Sequence, residues 1–218
     1  MQKNELIQMI EKEKIIAIVR GLTKEKLIST VNALLEGGIR LVEVTFDQSG
    51  TYSEDYVAGQ IRAITEEFKG DALPGAGTVM NVRQTEIAYS AGANYIISPN
   101  TDKSVIEKTV ELGMVSIPGA LTPTEAASAH DWGADFVKLF PAGELGLGYI
   151  KALKAPLNHI RFLAVGGVDH NNLGDFLKAG ISGVGIGSNI VKKDLIDAEQ
   201  YQELTKLAKR YTTIAKGE

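Results

Sequence analysis

The feature that most constrains this chain is a recurring unit of amphipathic helix, glycine and short apolar strand. It reads LLEGG-IRLVEV, AYSAGA-NYIIS, VELGM-VSIPG, HDWGA-DFVKLF and FLKAG-ISGVGI. Gly38, Gly92, Gly113, Gly133 and Gly180 end the helical halves, where a residue that accepts the left-handed conformation cheaply caps a helix. The strand halves are nearly continuous apolar runs, the pattern of parallel strands covered on both faces. Eight strands are predicted, at 15–20, 41–47, 73–78, 95–99, 115–119, 136–140, 161–166 and 184–187. Helices are predicted after them at 24–36, 54–68, 82–91, 102–112, 123–132, 148–155, 171–179 and 197–214, with an extra leading helix at 4–13. Eight βα units in one chain favour an α/β fold closed into a single (β/α)8 TIM barrel; the alternative is an open doubly wound sheet.

Length and charge set the outer limits. A chain of 218 residues holds one such barrel, and no linker or shift of composition divides it, so 1–218 is read as one domain. Net charge is −4 and no Lys/Arg run appears, which argues against nucleic acid and anionic membranes as partners. The absence of cysteine removes disulfides, thiolate metal sites and thiol nucleophiles, and fits a reducing cytoplasm. Residues 1–14 mix apolar and charged positions in helical fashion without the apolar core of a signal peptide, and no apolar run is long enough to span a bilayer. A cytoplasmic location is expected.

In these barrels chemistry sits at the C-terminal ends of the strands, so polar residues that interrupt the apolar runs matter most. Lys138 lies in FVKLF and shares a face with Phe136 and Phe140. Facing the barrel interior, its ammonium is disfavoured by desolvation, which exposes a nucleophilic amine. The plainer reading is a buried lysine paired with a carboxylate. Glu43 lies in RLVEVTFD, on the face of Leu41, Thr45 and Asp47. The second and sixth strands stand across the barrel and have the same parity, which brings Glu43 and Lys138 toward one mouth as nucleophile and proton shuttle, or as a structural ion pair. Arg20 ends the first strand and suits a carboxylate, or simply meets solvent. Thr78 in GAGTV either bonds a carboxylate or caps the next helix, a role for which Asn81 competes.

Glycines cluster after the last two strands: Gly166 and Gly167 in AVGGV, then Gly185 and Gly187 with Ser188 in GVGIGSN. Loops at these two positions commonly form the phosphate site of such barrels, because glycine lets backbone N–H groups approach an anion. His130, His159 and His170 end no strand, which disfavours a metal-dependent barrel. Trp132 reads as packing, and 197–214 as a solvated outer helix.

Taken in order and spacing, VEVTF, GAGTV, ISP, IPGALTPTE, VKLFPA, AVGGV and GIGS resemble the 2-keto-3-deoxy-6-phosphogluconate (KDPG) and 4-hydroxy-2-oxoglutarate (KHG) aldolases over nearly the whole chain. The resemblance implies a homotrimeric class I aldolase of Entner–Doudoroff type carbohydrate metabolism, acting on a keto-acid substrate with no cofactor and no metal. It implies Lys138 as the Schiff-base lysine and Glu43 as general acid/base. Thr78, Pro99 and Phe140 then line the keto-acid pocket, and Gly166, Gly167, Gly187 and Ser188 the phosphate site. Two departures stand out. Asp47 occupies a position that is arginine in many members, where it binds the substrate carboxylate; Arg20 is the natural substitute. AVGGV replaces Pro-Thr-Gly-Gly, so Val165 lacks a hydroxyl, and the segment is more similar to the 2-keto-3-deoxy-6-phosphogalactonate (KDPGal) subgroup. The reaction expected is cleavage of KDPG to pyruvate and glyceraldehyde 3-phosphate, with KDPGal or KHG as alternative substrates. Two other classes are weighed: a phosphosugar barrel such as an epimerase or an indole- or thiamin-pathway enzyme, and a non-catalytic barrel that senses a sugar phosphate. Neither needs Lys138 and Glu43 together.

Overall fold

In a computed structural model that describes residues 2–217, nine short strands form one parallel sheet. They are β1 (Ile15–Val19), β2 (Leu41–Thr45), β3 (Leu73–Gly77), β4 (Tyr95–Ile97), β5 (Val115–Ile117), β6 (Gly119–Ala120), β7 (Val137–Leu139), β8 (Phe162–Val165) and β9 (Gly183–Ile186). The hydrogen-bonded order is β5-β4-β3-β2-β1-β9-β8-β7-β6. The two ends of this ribbon, β5 and β6, are one run of chain interrupted at Pro118. Proline has no N–H to give a ladder. Its carbonyl still accepts from the Lys138 N–H at 2.8 Å, and the Gly119 N–H donates to the Asn100 carbonyl at 3.2 Å. The ribbon therefore closes on itself, and the expected eight-stave barrel is present with its fifth stave split in two.

The helices are α1 (Lys3–Glu13), α2 (Lys24–Glu36), α3 (Glu54–Phe68), α4 (Val82–Ser90), α5 (Lys103–Glu111), α6 (Pro123–Asp131), α7 (Ala142–Lys154), α8 (Leu173–Lys178), α9 (Lys193–Asp197) and α10 (Tyr201–Lys216). Side-chain oxygens of Thr23, Ser53, Asn81, Asp102 and Thr122 accept from N–H groups in the first turns of α2 to α6. Two predicted helices are corrected. The seventh begins at Ala142 rather than 148, bending at Gly146 (φ 72°, ψ 166°), and its glycines hid the start. The helix predicted at 197–214 begins instead at Tyr201 and runs to Lys216 as α10; a separate short helix, α9, precedes it and ends at Asp197, with Glu199 between the two in the left-handed region (φ 55°). Nor is α10 simply a solvated face. Leu204, Ala208 and Tyr211 are buried, and the Thr212 hydroxyl donates to the Gly37 carbonyl at 2.9 Å. A Cβ on Gly37 would stand 2.4 Å from the Ala208 Cβ, so the glycine that ends α2 lets α10 dock on it.

Alternation along the strands divides two apolar layers. Ile15, Ala17, Val19, Val42, Val44, Val137 and Leu139 face the helices. Ile16, Leu41, Leu73, Tyr95, Phe136 and Leu163 fill the barrel, joined from below by Leu6 and Ile10 of α1, which plugs the N-terminal end. Glu43 has the parity of Leu41, and Lys138 that of Phe136, so both point inward. Inward glycines make room for large neighbours. A Cβ on Gly75 would lie 2.1 Å from the ring of Tyr95, which is fully buried. Among the described residues, no helix is long and apolar enough to cross a membrane.

Gly75→Ala should cost about 1–3 kcal/mol of stability through overpacking. Urea unfolding followed by circular dichroism reads this as a lower midpoint; an unchanged midpoint would mean that the interior holds space which the packing around Tyr95 denies.

Candidate active site

Apart from the split fifth stave, which runs on to Ala120, the strands end one or two residues earlier than the sequence suggested. This puts Arg20, Thr78, Pro99, Phe140, Gly166 and Gly187 just beyond the C-terminal ends of β1, β3, β4, β7, β8 and β9. All belong to the face where such barrels do chemistry.

Glu43 and Lys138 sit just inside that face, 2% and 6% exposed. Glu43 is level with Ile18 on β1 and Gly75 on β3; Lys138 is level with Gly119 and Leu163. A Cβ on Gly77 would lie 1.8 Å from Glu43 Oε1, so the glutamate occupies space that only glycine leaves free. Glu43 Oε2 is buried and meets no hydrogen-bond donor. Burial pushes the Glu43 carboxyl above its ordinary range, with the charges of Lys138 and then Arg20 pulling it back. Burial likewise pulls the Lys138 ammonium below its ordinary range; the charge of Glu43 opposes this and that of Arg20 adds to it. Among the described residues no direct ion pair joins Glu43 to Lys138. A structural pair would be expected to close on itself. These two groups feel each other's charge and leave their lone pairs and protons free for a third party.

A cleft of about 490 Å³ opens at the same end of the barrel, and neither Glu43 nor Lys138 is part of its wall. Its wall includes six predicted residues: Arg20, Phe140, Gly166, Gly167, Gly187 and Ser188. Ile18, Val165 and Gly185 line it as well. The Lys138 Nζ stands 4.8 Å from the centre of the Phe140 ring, which ties the amine to the cleft wall. Gly166 and Gly167 are both left-handed (φ 85° and 74°), and Gly143 packs so closely that its Cβ would meet the Gly167 Cα at 2.8 Å. The Asn189 amide donates to the Val168 carbonyl at 2.7 Å and stitches the two glycine loops together.

Thr78 and Pro99 do not belong to this cleft wall. Thr78 is half-buried and left-handed (φ 55°), an unusual state for a β-branched residue. It does not cap α4; the Asn81 side chain does, accepting from the Gln84 N–H at 2.9 Å. Pro99 lies against the split stave, its carbonyl 2.4 Å from where a Gly119 Cβ would stand. Asp47 is spoken for by its own loop: its oxygens accept from the Ser49 N–H and hydroxyl and from the Tyr52 N–H, which hold its carboxyl down at about 2. Sequence reasoning missed Lys26, Lys193 and Asp197, which meet in two ion pairs on the cleft rim. Lys26 lies on α2 and Lys193 and Asp197 on the short α9, a separation in sequence that leaves no pattern joining them. Among the described residues no group of three His, Asp or Glu is placed to hold a metal ion.

A parallel barrel with a desolvated amine and a buried carboxylate at the end where a glycine-lined cleft opens has the parts for amine and acid–base chemistry. The sequence model described as "Aldolase: KDPG and KHG aldolase" matches residues 6–207. The chain is 35% identical over 206 residues to the 2-dehydro-3-deoxy-6-phosphogalactonate aldolase of Escherichia coli (strain K12), covering 94% of this chain and 98% of that one. It is 32% identical to the 2-dehydro-3-deoxy-phosphogluconate aldolase of Treponema pallidum (strain Nichols), covering 94% and 95%. A KDPG aldolase from Legionella pneumophila, crystallised with pyruvate captured at low pH as a covalent carbinolamine intermediate, superposes with a TM-score of 0.83 at 25% identity, covering 93% and 96%. The chain belongs to the KDPG and KHG aldolase family and is therefore a carbon–carbon lyase.

The two neighbours of Lys138 act on it with opposite signs. Removing the cation in Arg20→Met should move the Lys138 titration to higher pH, and removing the anion in Glu43→Gln should move it lower. NMR of protein labelled with 15N-lysine measures both; shifts of the same sign would contradict this electrostatic arrangement.

Proposed function

We propose that the chain cleaves KDPG to pyruvate and glyceraldehyde 3-phosphate through a Schiff base on Lys138. The observation that carries this reading is the desolvated Lys138 amine beside an unbonded, buried Glu43 at the barrel mouth. Desolvation makes the neutral amine accessible at lower pH than for a free lysine. Its nitrogen attacks the C2 ketone, and loss of water gives an iminium. Glu43, its basicity raised by burial, takes the proton of the C4 hydroxyl directly or through one water. The C3–C4 bond breaks, its electron pair flows into the iminium, and glyceraldehyde 3-phosphate leaves. The enamine is then protonated at C3 with help from Glu43, and hydrolysis frees pyruvate and the amine. Covalent catalysis replaces an inaccessible carbanion with a neutral enamine.

In this reading Arg20 holds the substrate carboxylate, while Gly166, Gly167, Gly187 and Ser188 receive the phosphate. Phe140 covers the keto acid, and Thr78 and Pro99 shape its pocket from the other side of the mouth. The assembly is a homotrimer. A second reading, cleavage of KDPGal, shares every step and differs only at C4. It is favoured by Val165, which lines the cleft without a hydroxyl to offer the sugar, and by the E. coli KDPGal relative.

Lys138→Ala should abolish cleavage of either substrate, and Glu43→Gln should slow it by roughly 10²–10⁴-fold. Coupled detection of pyruvate release checks both. Near-normal turnover by Lys138→Ala would remove the covalent mechanism, and parental rates in Glu43→Gln would remove the proton shuttle.

A further inference from the structure

Arg20 is exposed, and among the described residues no carboxylate pairs with it. Its own side chain has nothing to fix it, so its position is set by the backbone that carries it. That backbone is held from one direction. The Tyr52 hydroxyl donates to the Gly21 carbonyl at 3.4 Å, and its ring lies so close that a Cβ on Gly21 would stand 2.8 Å from the hydroxyl oxygen. Tyr52 stacks on Tyr56, with ring centres 4.9 Å apart and planes 19° from parallel. The Tyr56 hydroxyl and the Gln60 amide both donate to the Leu22 carbonyl. The segment after Arg20 is thus gripped by the chain that follows β2.

That grip has a footing of its own. Asp47 accepts from the Ser49 N–H at 3.0 Å, from the Ser49 hydroxyl at 2.7 and 2.9 Å, and from the Tyr52 N–H at 2.9 Å. The loop is rooted on β3 by the Phe46 N–H to the Gly77 carbonyl at 2.8 Å and by the Gln48 amide to the Thr78 carbonyl at 3.0 Å. A continuous set of bonds therefore runs from the end of β3 through Asp47 and Tyr52 to the residue after Arg20. We propose that Asp47 and Tyr52 are positioning residues: they fix the loop that aims Arg20 at the substrate carboxylate. Ordering the loop once, in the fold, spares the substrate the cost of ordering it on binding. The inference rests on the reading of Arg20 as the carboxylate ligand.

The test is a double-mutant cycle read on KM and kcat for the keto-acid substrate. Asp47→Ala should raise KM about tenfold, with kcat nearly unchanged. Asp47→Asn keeps an acceptor for the Tyr52 N–H and should recover most of the loss. In an Arg20→Ala background, Asp47→Ala should add little. The Lys138 titration should move upward in Asp47→Ala, in the direction that loss of Arg20 itself gives, an effect mere loss of stability would not produce. Tyr52→Phe removes one hydroxyl and carries the same test if Asp47→Ala fails to fold. Additive effects of Asp47→Ala and Arg20→Ala, or an unchanged KM in Asp47→Ala and Tyr52→Phe, would overturn the inference while leaving Arg20 as the ligand. An unchanged KM in Arg20→Ala would overturn the Arg20 reading and the inference with it.

Discussion

A glutamate and a lysine share the interior of a barrel that is otherwise hydrocarbon, glycine and a few small polar groups, and much of the structure answers to that fact. Taking each charge out of water costs several kcal/mol, repaid only where geometry and hydrogen bonds are good. Here Glu43 Oε2 has no donor at all. The chain does not spend its interior on neutralising the pair; it leaves glycines at Gly75 and Gly77 so that Tyr95 and Glu43 fit. The layer below is packed with Ile16, Leu41, Leu73, Phe136 and Leu163 and closed by α1. That dry floor is what pushes the carboxyl up and the ammonium down. Stability for such a site comes from elsewhere, from the outer layer and from α10 docked on α2.

The reach of the sequence follows from what periodicity encodes. Alternation in FVKLF and RLVEVTFD placed Lys138 and Glu43 inside the barrel, because a strand allows only two directions for a side chain. The helix–glycine–strand rhythm gave the closed barrel for the same reason. Ends and joins were less legible. Pro118 sits in an apolar run that reads as one strand, and only the missing N–H splits it into β5 and β6. The start of α7 is blurred by Gly143, Gly146 and Gly148, since a glycine-rich helix has little amphipathic signal. The competition between Thr78 and Asn81 for the α4 cap is a matter of single torsions, which pattern does not carry.

Distances between loops were the least legible of all. Asp47 read as a departure because the sequence shows its charge and not its company. In the fold its carboxylate accepts from Ser49 and Tyr52, so it is a bracket within the loop, held ionised by the groups it braces. Of the rim ions, Lys26 lies on α2 and Lys193 and Asp197 on α9, and they meet only where the fold brings the two helices together at the cleft. The glycine clusters were visible as composition. Their stitching through Asn189 and Gly143 was not, since a single amide and a missing Cβ leave no pattern.

The central claim is that Lys138 is the covalent nucleophile, and trapping tests it most directly. Protein incubated with excess pyruvate and then borohydride should carry one reduced pyruvate adduct, and peptide mass spectrometry should place it on Lys138. Folded protein that gains no adduct, or gains it on another lysine while Lys138 stays unmodified, would contradict the account.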